Sequence, residues 1–510
     1  MKRSNLYFIS VSILLTFLSN SCTKLDEEVY DQLPVDQFGT NTKEINSLIA
    51  PIYRTLKEVY PSNFFLLSEL SADMAIIPTK KGGDYWDGGI YKELRFHSWT
   101  PNNSRFRNSY NGATQGISIC NKIYNLIEES QNTPNKEQIL AEIRGVRAYW
   151  YYMLLDYFGN VPVVTDFNDV SKPTTKSRKE VYDFVLSELN AIKDVLRSDV
   201  TTASYGKVTK GFAYTLLAKM YLNALVWNPA DGPKWQECID ACNVVMQLPY
   251  ILEPNWKANF AIQNQNSREI IFPIVFSKAD GGNQMTQRTL HYLDPIALGM
   301  KTEGWNGVCA MPDYVKAYDD EDKRLGWTFL TGPMIDPSTG QVLITAHNRP
   351  LIHRVEVEMK YNIDADGWGQ TEQEDGARCN KWEFEPGLSG DSENDFAIFR
   401  LADVYLMKAE ALTRLGIDNG EATRLVNEIR KRAFDDPSKL KSQVTLEDIY
   451  KERRFELAWE LYARQDQIRF NTFLDAIPGW KGVSNSKYLL FPIPTTAIDA
   501  NPGLTQNPGY

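Results

Sequence analysis

Stretches in which alanine is interleaved with large aromatic side chains recur along this chain, and they limit what it can fold into. The segment 135–158 ends RGVRAYWYYMLLDYFG, and Gly159 and Pro162 stop it as a helix. VTKGFAYTLLAKMYLNAL (208–225) repeats the pattern, with WQECIDACNVVMQ (235–247) as its expected partner. Small residues let neighbouring helices approach, and the aromatics fill the space between them. Three further stretches complete the first half. Residues 40–60 place Ile45, Leu48, Ile49, Ile52 and Leu56 at helical spacing. Residues 104–129 carry Ile117, Cys120, Ile123, Tyr124 and Ile127. Residues 177–197 open with Ser177 as a cap and Glu180 at the capping-box position.

These pairs recur roughly every 35 to 45 residues and resemble tetratricopeptide helix pairs, whose period is about 34. A plain helical bundle is the alternative. The fold class is therefore mainly α: tetratricopeptide-like helix pairs in a curved scaffold, with an irregular, loop-rich second lobe containing short strands. That lobe spans about 250–395. Helical periodicity fades there, REIIFPIVFS (268–277) reads as a strand, and glycines punctuate a stretch holding Trp305, Trp327, Trp368 and Trp382. An irregular insert of this size in a helical protein is more often functional surface than scaffold. Helices return at 399–415, 420–433 and 445–471, the last with Thr445 and Asp448 at capping-box positions. The scaffold thus occupies mainly 40–250 and 396–475. The proline-rich end, 476–510, packs back over the core.

The N-terminus has its own logic. Lys2 and Arg3 precede a mostly apolar run from Leu6 to Leu18. It is too short for a membrane span, which takes about 20 residues, and fits a signal-peptide core. Ser19-Asn20-Ser21 lead to Cys22. This junction resembles a bacterial lipobox, although Leu18 sits four residues before the cysteine rather than three. Residues 1–21 are then the signal peptide, Cys22 the lipidation site, and 22–39 a tether. Two or three acyl chains anchor stably where one does not. Asp26, Glu27 and Glu28 resemble the acidic surface-export signal of Bacteroidetes lipoproteins. An ordinary signal peptide with an incidental cysteine is the alternative.

The remaining body, 40–510, reads as one domain. Its formal charge balance is acidic, −10 for the whole chain, and it lacks the concentrated Lys/Arg footprint that phosphate backbones need, so a nucleic-acid partner is excluded. A neutral sugar is compatible with that balance. Cys120, Cys238, Cys242, Cys309 and Cys379 are too few for a disulfide scaffold. Cys238 and Cys242 share a helix face, but the four histidines (His97, His291, His347, His353) form no cluster to complete a metal site. These thiols read as core residues.

The segments RGVRAYWYYMLLDYFGNVPVVT, VTKGFAYTLLAKMYLNA, FRLADVYLMKAEAL, VNEIRKRA, ERRFELAWE and LFPIPTTAIDANPGLTQNPGY together resemble the SusD/RagB-like outer-membrane nutrient-binding lipoproteins. The likeness runs in order from Cys22 to Tyr510, and DDEDKRL (319–325) fits it too. The resemblance implies a cell-surface, lipid-anchored protein that sits as a hinged lid over a SusC-like TonB-dependent transporter. It implies capture of an oligosaccharide, or in some relatives a peptide, without hydrolysis and without a cofactor.

The residues offer a matching site. In GGDYWDGG (82–89), glycines hold a loop open, Tyr85 and Trp86 present ring faces, and Asp84 and Asp87 can accept sugar hydroxyls. Sugar C–H faces pack on electron-rich rings, and the hydroxyls around them need directional partners. By resemblance, Trp86 occupies the loop where the starch-binding relative presents a stacking tryptophan. Its alternative role is to anchor the loop. His291-Tyr292 and Trp305-Asn306 are second candidates. Trp327 reads as packing, and Trp368 as another ring for the surface. DADGWGQTEQED (364–375) sets Asp364, Asp366, Gly369 and Asp375 at positions 1, 3, 6 and 12 of a calcium loop. Trp368 stands where an oxygen ligand is wanted, so a solvated acidic turn is the main reading and calcium the minor one.

Glu452 and Glu456 share a helix face with Arg453 between them and read as structural ion pairs rather than as a glycosidase dyad. No phosphate loop, nucleophile elbow or zinc-protease motif occurs. The reading is therefore a non-catalytic, glycan-binding surface lipoprotein. Its rivals are peptide capture on the same scaffold, a secreted glycoside hydrolase, and a helical scaffold without a small ligand.

Overall fold

The computed structural model describes residues 41–510. The readings of a signal peptide, the 22–39 tether and Cys22 lipidation lie outside the described residues. Helix α1 (Thr42–Val59) is capped by Asn41, whose side chain accepts from the Glu44 amide, and it buries Ile45, Ile49, Ile52 and Leu56 as their spacing predicts. The long helices that follow are α2 (Ser104–Glu129), α3 (Lys136–Tyr157), α4 (Arg178–Ile192), α5 (Lys210–Leu222), α6 (Trp235–Gln247), α7 (Leu401–Leu415), α8 (Asn419–Ala433) and α9 (Leu446–Glu456). Both sequence-predicted capping boxes form, Ser177 with Glu180 and Thr445 with Asp448.

Helix packing follows chain order. Helix α1 lies on α2, α2 on α3, α3 on α4, α5 on α6, and α7 on α8. The irregular lobe separates α6 from α7 in sequence, yet these two also pack directly. Such neighbour-to-neighbour stacking is the geometry of a helical repeat. The small residues are what permit it. A Cβ on Gly116 of α2 would lie 2.2 Å from the Trp150 indole nitrogen of α3, and one on Gly112 would lie 2.6 Å from Val59 of α1. Bulky side chains therefore press on bare backbone. Tyr149, Trp150, Tyr151 and Met153 of α3 are all buried.

The lobe is closed at its base by an antiparallel clasp, β1 (Ile270–Ile274) with β2 (Phe396–Arg400), which pairs Phe396 with Ile274 and Arg400 with Ile270. The expected strand at 268–277 is β1. The helix expected from 399 starts at Leu401 instead, because the residues before it complete the clasp. The C-terminal segment does pack back: Phe491 stacks on Phe106 at 4.8 Å, and Asn507 donates to the carbonyls of Phe158 and Phe491.

The helix expected over 445–471 is two helices, α9 and Ala463–Arg469. Cations end α9. The Lys381 ammonium donates to the Glu456 and Ala458 carbonyls, and Arg400 donates to the Glu456 carbonyl, so these acceptors no longer need a helical amide. Trp459 and Leu461 then take φ of 65° each. Glu452 and Glu456 are structural ion-pair partners, as read from sequence, but their partners come from elsewhere in the chain. Glu456 meets Arg400, Arg432 and Arg324, and Glu452 meets Arg324 and Arg430. Arg453 turns away to Asp403 and Asp466. The five cysteines of the described residues are free and buried. Among those residues, no helix is long and apolar enough to cross a membrane.

Candidate functional site

The 82–89 loop is built by left-handed backbone. Gly82, Gly83, Gly88 and Gly89 all have positive φ, and so do Tyr85 (65°) and Asp87 (42°) between them. Positive φ is costly for a non-glycine residue and persists where surrounding contacts over-determine it. Those contacts are present. The Lys80 amide donates to the Asp84 carbonyl at 2.9 Å, the Trp86 amide to Gly83, and the Gly89 amide to Trp86. At the loop's entrance, Thr79–Lys80 pairs in parallel with Gln370–Thr371, tying it to the lobe.

The lobe supplies the other half. The short helix Met285–Thr289 is zipped to residues 305–308. The Trp305 amide donates to the Gln287 carbonyl, Asn306 to Leu290, and Gly307 and Val308 both to Arg288. Gly304 makes this approach possible, since a Cβ there would lie 2.4 Å from the His291 carbonyl oxygen. Gly307 does the same for the joint between halves, because a Cβ would lie 3.0 Å from the Tyr85 ring.

The two halves meet through side chains. The Tyr85 hydroxyl donates to the Trp305 carbonyl at 2.6 Å, and the Tyr292 hydroxyl donates to an Asp84 carboxylate oxygen at 3.1 Å. The Arg288 guanidinium lies 5.3 Å from the Trp305 ring centre, a cation–π contact. Tyr91 sits 6.2 Å from Tyr85 and takes a hydrogen bond from Arg105 at 2.5 Å. Burial, and then the Asp84 carboxylate, push the Tyr292 hydroxyl up to about 12. Burial raises Tyr85 further, so both phenols stay protonated donors at neutral pH. Burial drops His291 to about 3, leaving its imidazole neutral. Above this frame Trp86 stands 47% exposed, and a Cβ on Gly89 would lie 3.5 Å from its ring.

Of the residues singled out from sequence, Trp86, Tyr85, Asp84, Tyr292 and Trp305 converge. Asn306 does not present itself to a ligand. It is fully buried at φ 55°, and its side-chain amide oxygen accepts from Arg378 at 2.8 Å, so it braces the lobe from inside. Trp368 is likewise buried rather than exposed, with its indole N–H on Thr79 Oγ1 at 3.1 Å. Trp327 packs on Trp256 as expected, the rings 5.7 Å apart. The three aspartates of the calcium reading do not converge. Asp364 and Asp366 both hold Lys92, whereas Asp375 is buried against Thr371 and Arg354. No grouping of three metal-ligating side chains occurs among the described residues. Arg288, Arg105 and Tyr91 were not singled out from sequence. Only their three-dimensional placement marks them, since each stands alone in its segment.

Two family models divide the chain. The model described as the SusD family matches residues 268–510, and the one described as starch-binding associating with outer membrane matches 25–222. This chain belongs to the SusD/RagB-like family. Among SusD-like relatives, the starch-binding protein SusD of Bacteroides thetaiotaomicron is 28% identical, covering 82% of this chain and 81% of its own. SusD-like protein P25 of Formosa agariphila is 24% identical over 95% of this chain and 89% of its own. The fold matches surface glycan-binding protein A from B. thetaiotaomicron, solved in complex with laminarihexaose, with a TM-score of 0.71 at 19% identity over 91% of this chain and 99% of that one. A laminarin-binding SusD-like protein gives 0.73 at 20% identity over 92% and 100%. These likenesses establish the SusD fold with its tetratricopeptide-like helices.

Proposed function

We propose that this chain captures a glycan at the cell surface and delivers it, uncut, to a SusC-like TonB-dependent transporter in the outer membrane, to which a lipid on Cys22 tethers it. The observation that supports this most is the Trp86 ring, half out in solvent on a loop whose base is bonded to the lobe at Tyr85 and Tyr292. An apolar ring held rigidly in water costs free energy, and a sugar face laid on it recovers that cost with little entropy loss. Asp84 and Asp87 stand beside it as hydroxyl acceptors. The relatives' names, starch-binding and laminarin-binding, point the same way.

In this reading the helical scaffold (40–250, 396–475) fixes the lobe (about 250–395) and the end segment (476–510) locks the two together. The reading is non-catalytic. Glu452 and Glu456, the carboxylate pair on one helix face, are engaged by arginines in the interior. One stacking contact is worth about 1 kcal/mol beyond burial, so affinity should fall in the micromolar to millimolar range, about −8 to −4 kcal/mol. Incubation with candidate polysaccharides followed by a reducing-end assay tests the non-catalytic part. Sustained release of new ends would overturn it.

A further inference from the structure

Among the described residues the Arg288 guanidinium makes neither a hydrogen bond nor an ion pair; it lies 5.3 Å from the Trp305 ring centre. Elsewhere arginines of similar or deeper burial each have at least one hydrogen-bond or ion-pair partner. Arg147 and Arg144 share Glu188, Arg469 holds Glu410 and Asp466, and Arg378 uses Asn306 and the Gln373 carbonyl. A second arginine lies close to the same platform. Arg105, at the start of α2, donates to the Tyr91 hydroxyl, but its buried Nε has no hydrogen-bond partner among the described residues. The two arginines and the rings of Tyr91, Tyr85 and Trp305 form one run along the base of the Trp86 loop.

The acidic groups nearby do not neutralise this pair. Asp391 faces Arg288 but accepts from the amides of Gln284 and Gln287, both at 3.1 Å. Asp84 is taken by Tyr292, and Asp87 lies beside Tyr91. Burial and then the repulsion of Arg105 bring Arg288 down to about 10, so it remains charged at neutral pH while the environment works against that charge. Arg288 also lines a cleft of about 250 Å3 with Arg54, Lys57, Glu58, Asp280 and Asp391, where Glu58 is paired with Arg54 and Asp280 with Lys57. A half-buried, unpaired guanidinium is costly, and its planar fork matches a carboxylate or a sulfate.

We propose that this site is selective for an acidic glycan, in which Arg288, supported by Arg105, receives the carboxylate or sulfate of a sugar whose neighbour lies on Trp86. The inference rests on the glycan-capture reading and narrows its substrate class. The anionic group supplies the partner that Arg288 lacks, and the ring contacts serve the uncharged parts of the chain.

The test is isothermal titration of the mature protein with three probes of similar length: an oligogalacturonate, a sulfated galactan oligosaccharide and a neutral malto- or laminari-oligosaccharide, at low and high salt. The expected result is at least tenfold tighter binding of one acidic probe than of the neutral one, weakened by salt. Which acidic probe wins distinguishes carboxylate from sulfate. Arg288→Met should cost about tenfold on that probe and at most about twofold on the neutral one, with little change in thermal midpoint, because methionine keeps a contact on the Trp305 ring and loses only the charged fork. Arg288→Lys, which keeps the charge and loses the fork, should recover part of the loss. Neutral binding that depends on Trp86 but equals acidic binding and ignores Arg288→Met would overturn this inference and leave glycan capture standing. No binding of any glycan would overturn both.

Discussion

The Tyr85 hydroxyl donates to the Trp305 carbonyl oxygen at 2.6 Å across 220 residues of sequence. That bond joins a loop of the first half of the chain to the irregular lobe and fixes the stem from which Trp86 projects. Tyr85→Phe keeps the ring on Gly307 and deletes the bond. A typical hydrogen bond contributes about 0.5–1.5 kcal/mol net. The expected outcome is a two- to tenfold loss of glycan affinity with a small change in thermal midpoint, read by titration alongside calorimetric melting.

The ionic seam beneath the lobe should behave differently. Glu456 Oε1 meets Arg400 at 2.6 Å and Arg432 at 2.5 Å, all three side chains being buried. Removing one partner strands the others in low dielectric, at a cost of roughly 3–5 kcal/mol. Glu456→Ala should therefore lower the urea midpoint sharply, and should impair binding only as far as it unfolds the protein.

Acid should loosen the helical scaffold from a definable pair of groups. Burial alone would raise Glu410 and Asp403. Arg469 and Arg414 around Glu410, and Lys219 and Arg453 around Asp403, override it and hold both carboxylates at about 2. Folded values below the ordinary 4.5 and 3.8 mean that the native state binds fewer protons than the unfolded chain in between. Their stabilisation is present above about pH 4.5 and lost as pH falls toward 2. Denaturant midpoints measured between pH 6 and 2.5 should decline, and Glu410→Gln should flatten that decline.

Glu69 has the opposite sign. It is buried and takes a 3.2 Å hydrogen bond from Ser68. Burial pushes its carboxyl up to about 8 from an ordinary 4.5. The native state then holds the extra proton, so stability is full below about pH 4.5 and falls as pH rises toward 8. Glu69→Gln should be more stable than the parent at pH 8 and close to it at pH 4.5, as measured by chemical denaturation at both values.

Much of this architecture was legible in the sequence. Alanine and aromatic spacing located the helices because small residues such as Gly116 and Gly145 must face large ones such as Trp150 and Val208. The caps at Ser177 and Thr445 were legible because capping depends on local residue types. The break after Glu456 was not, because Lys381 and Arg400, far off in sequence, withdraw the carbonyls that a helix would have used. The site divides in the same way. Trp86 and its glycines announced an open loop. The inward turn of Asn306 and Trp368 depends on Arg378 and Thr79, which no spacing rule connects to them. Arg288 was invisible for a related reason, since what distinguishes it is a missing partner.

The central claim is that Trp86 is a sugar-stacking surface on a rigid base. The most direct measurement compares the mature protein with Trp86→Ala by titration against a panel of polysaccharide-derived oligosaccharides, with melting curves for both proteins. At least one glycan should bind with micromolar to millimolar affinity, weakened about fivefold or more by the substitution, with the melting temperature retained because the ring is half in solvent. Unchanged glycan affinity in Trp86→Ala, or lost binding accompanied by a large drop in melting temperature, would contradict it.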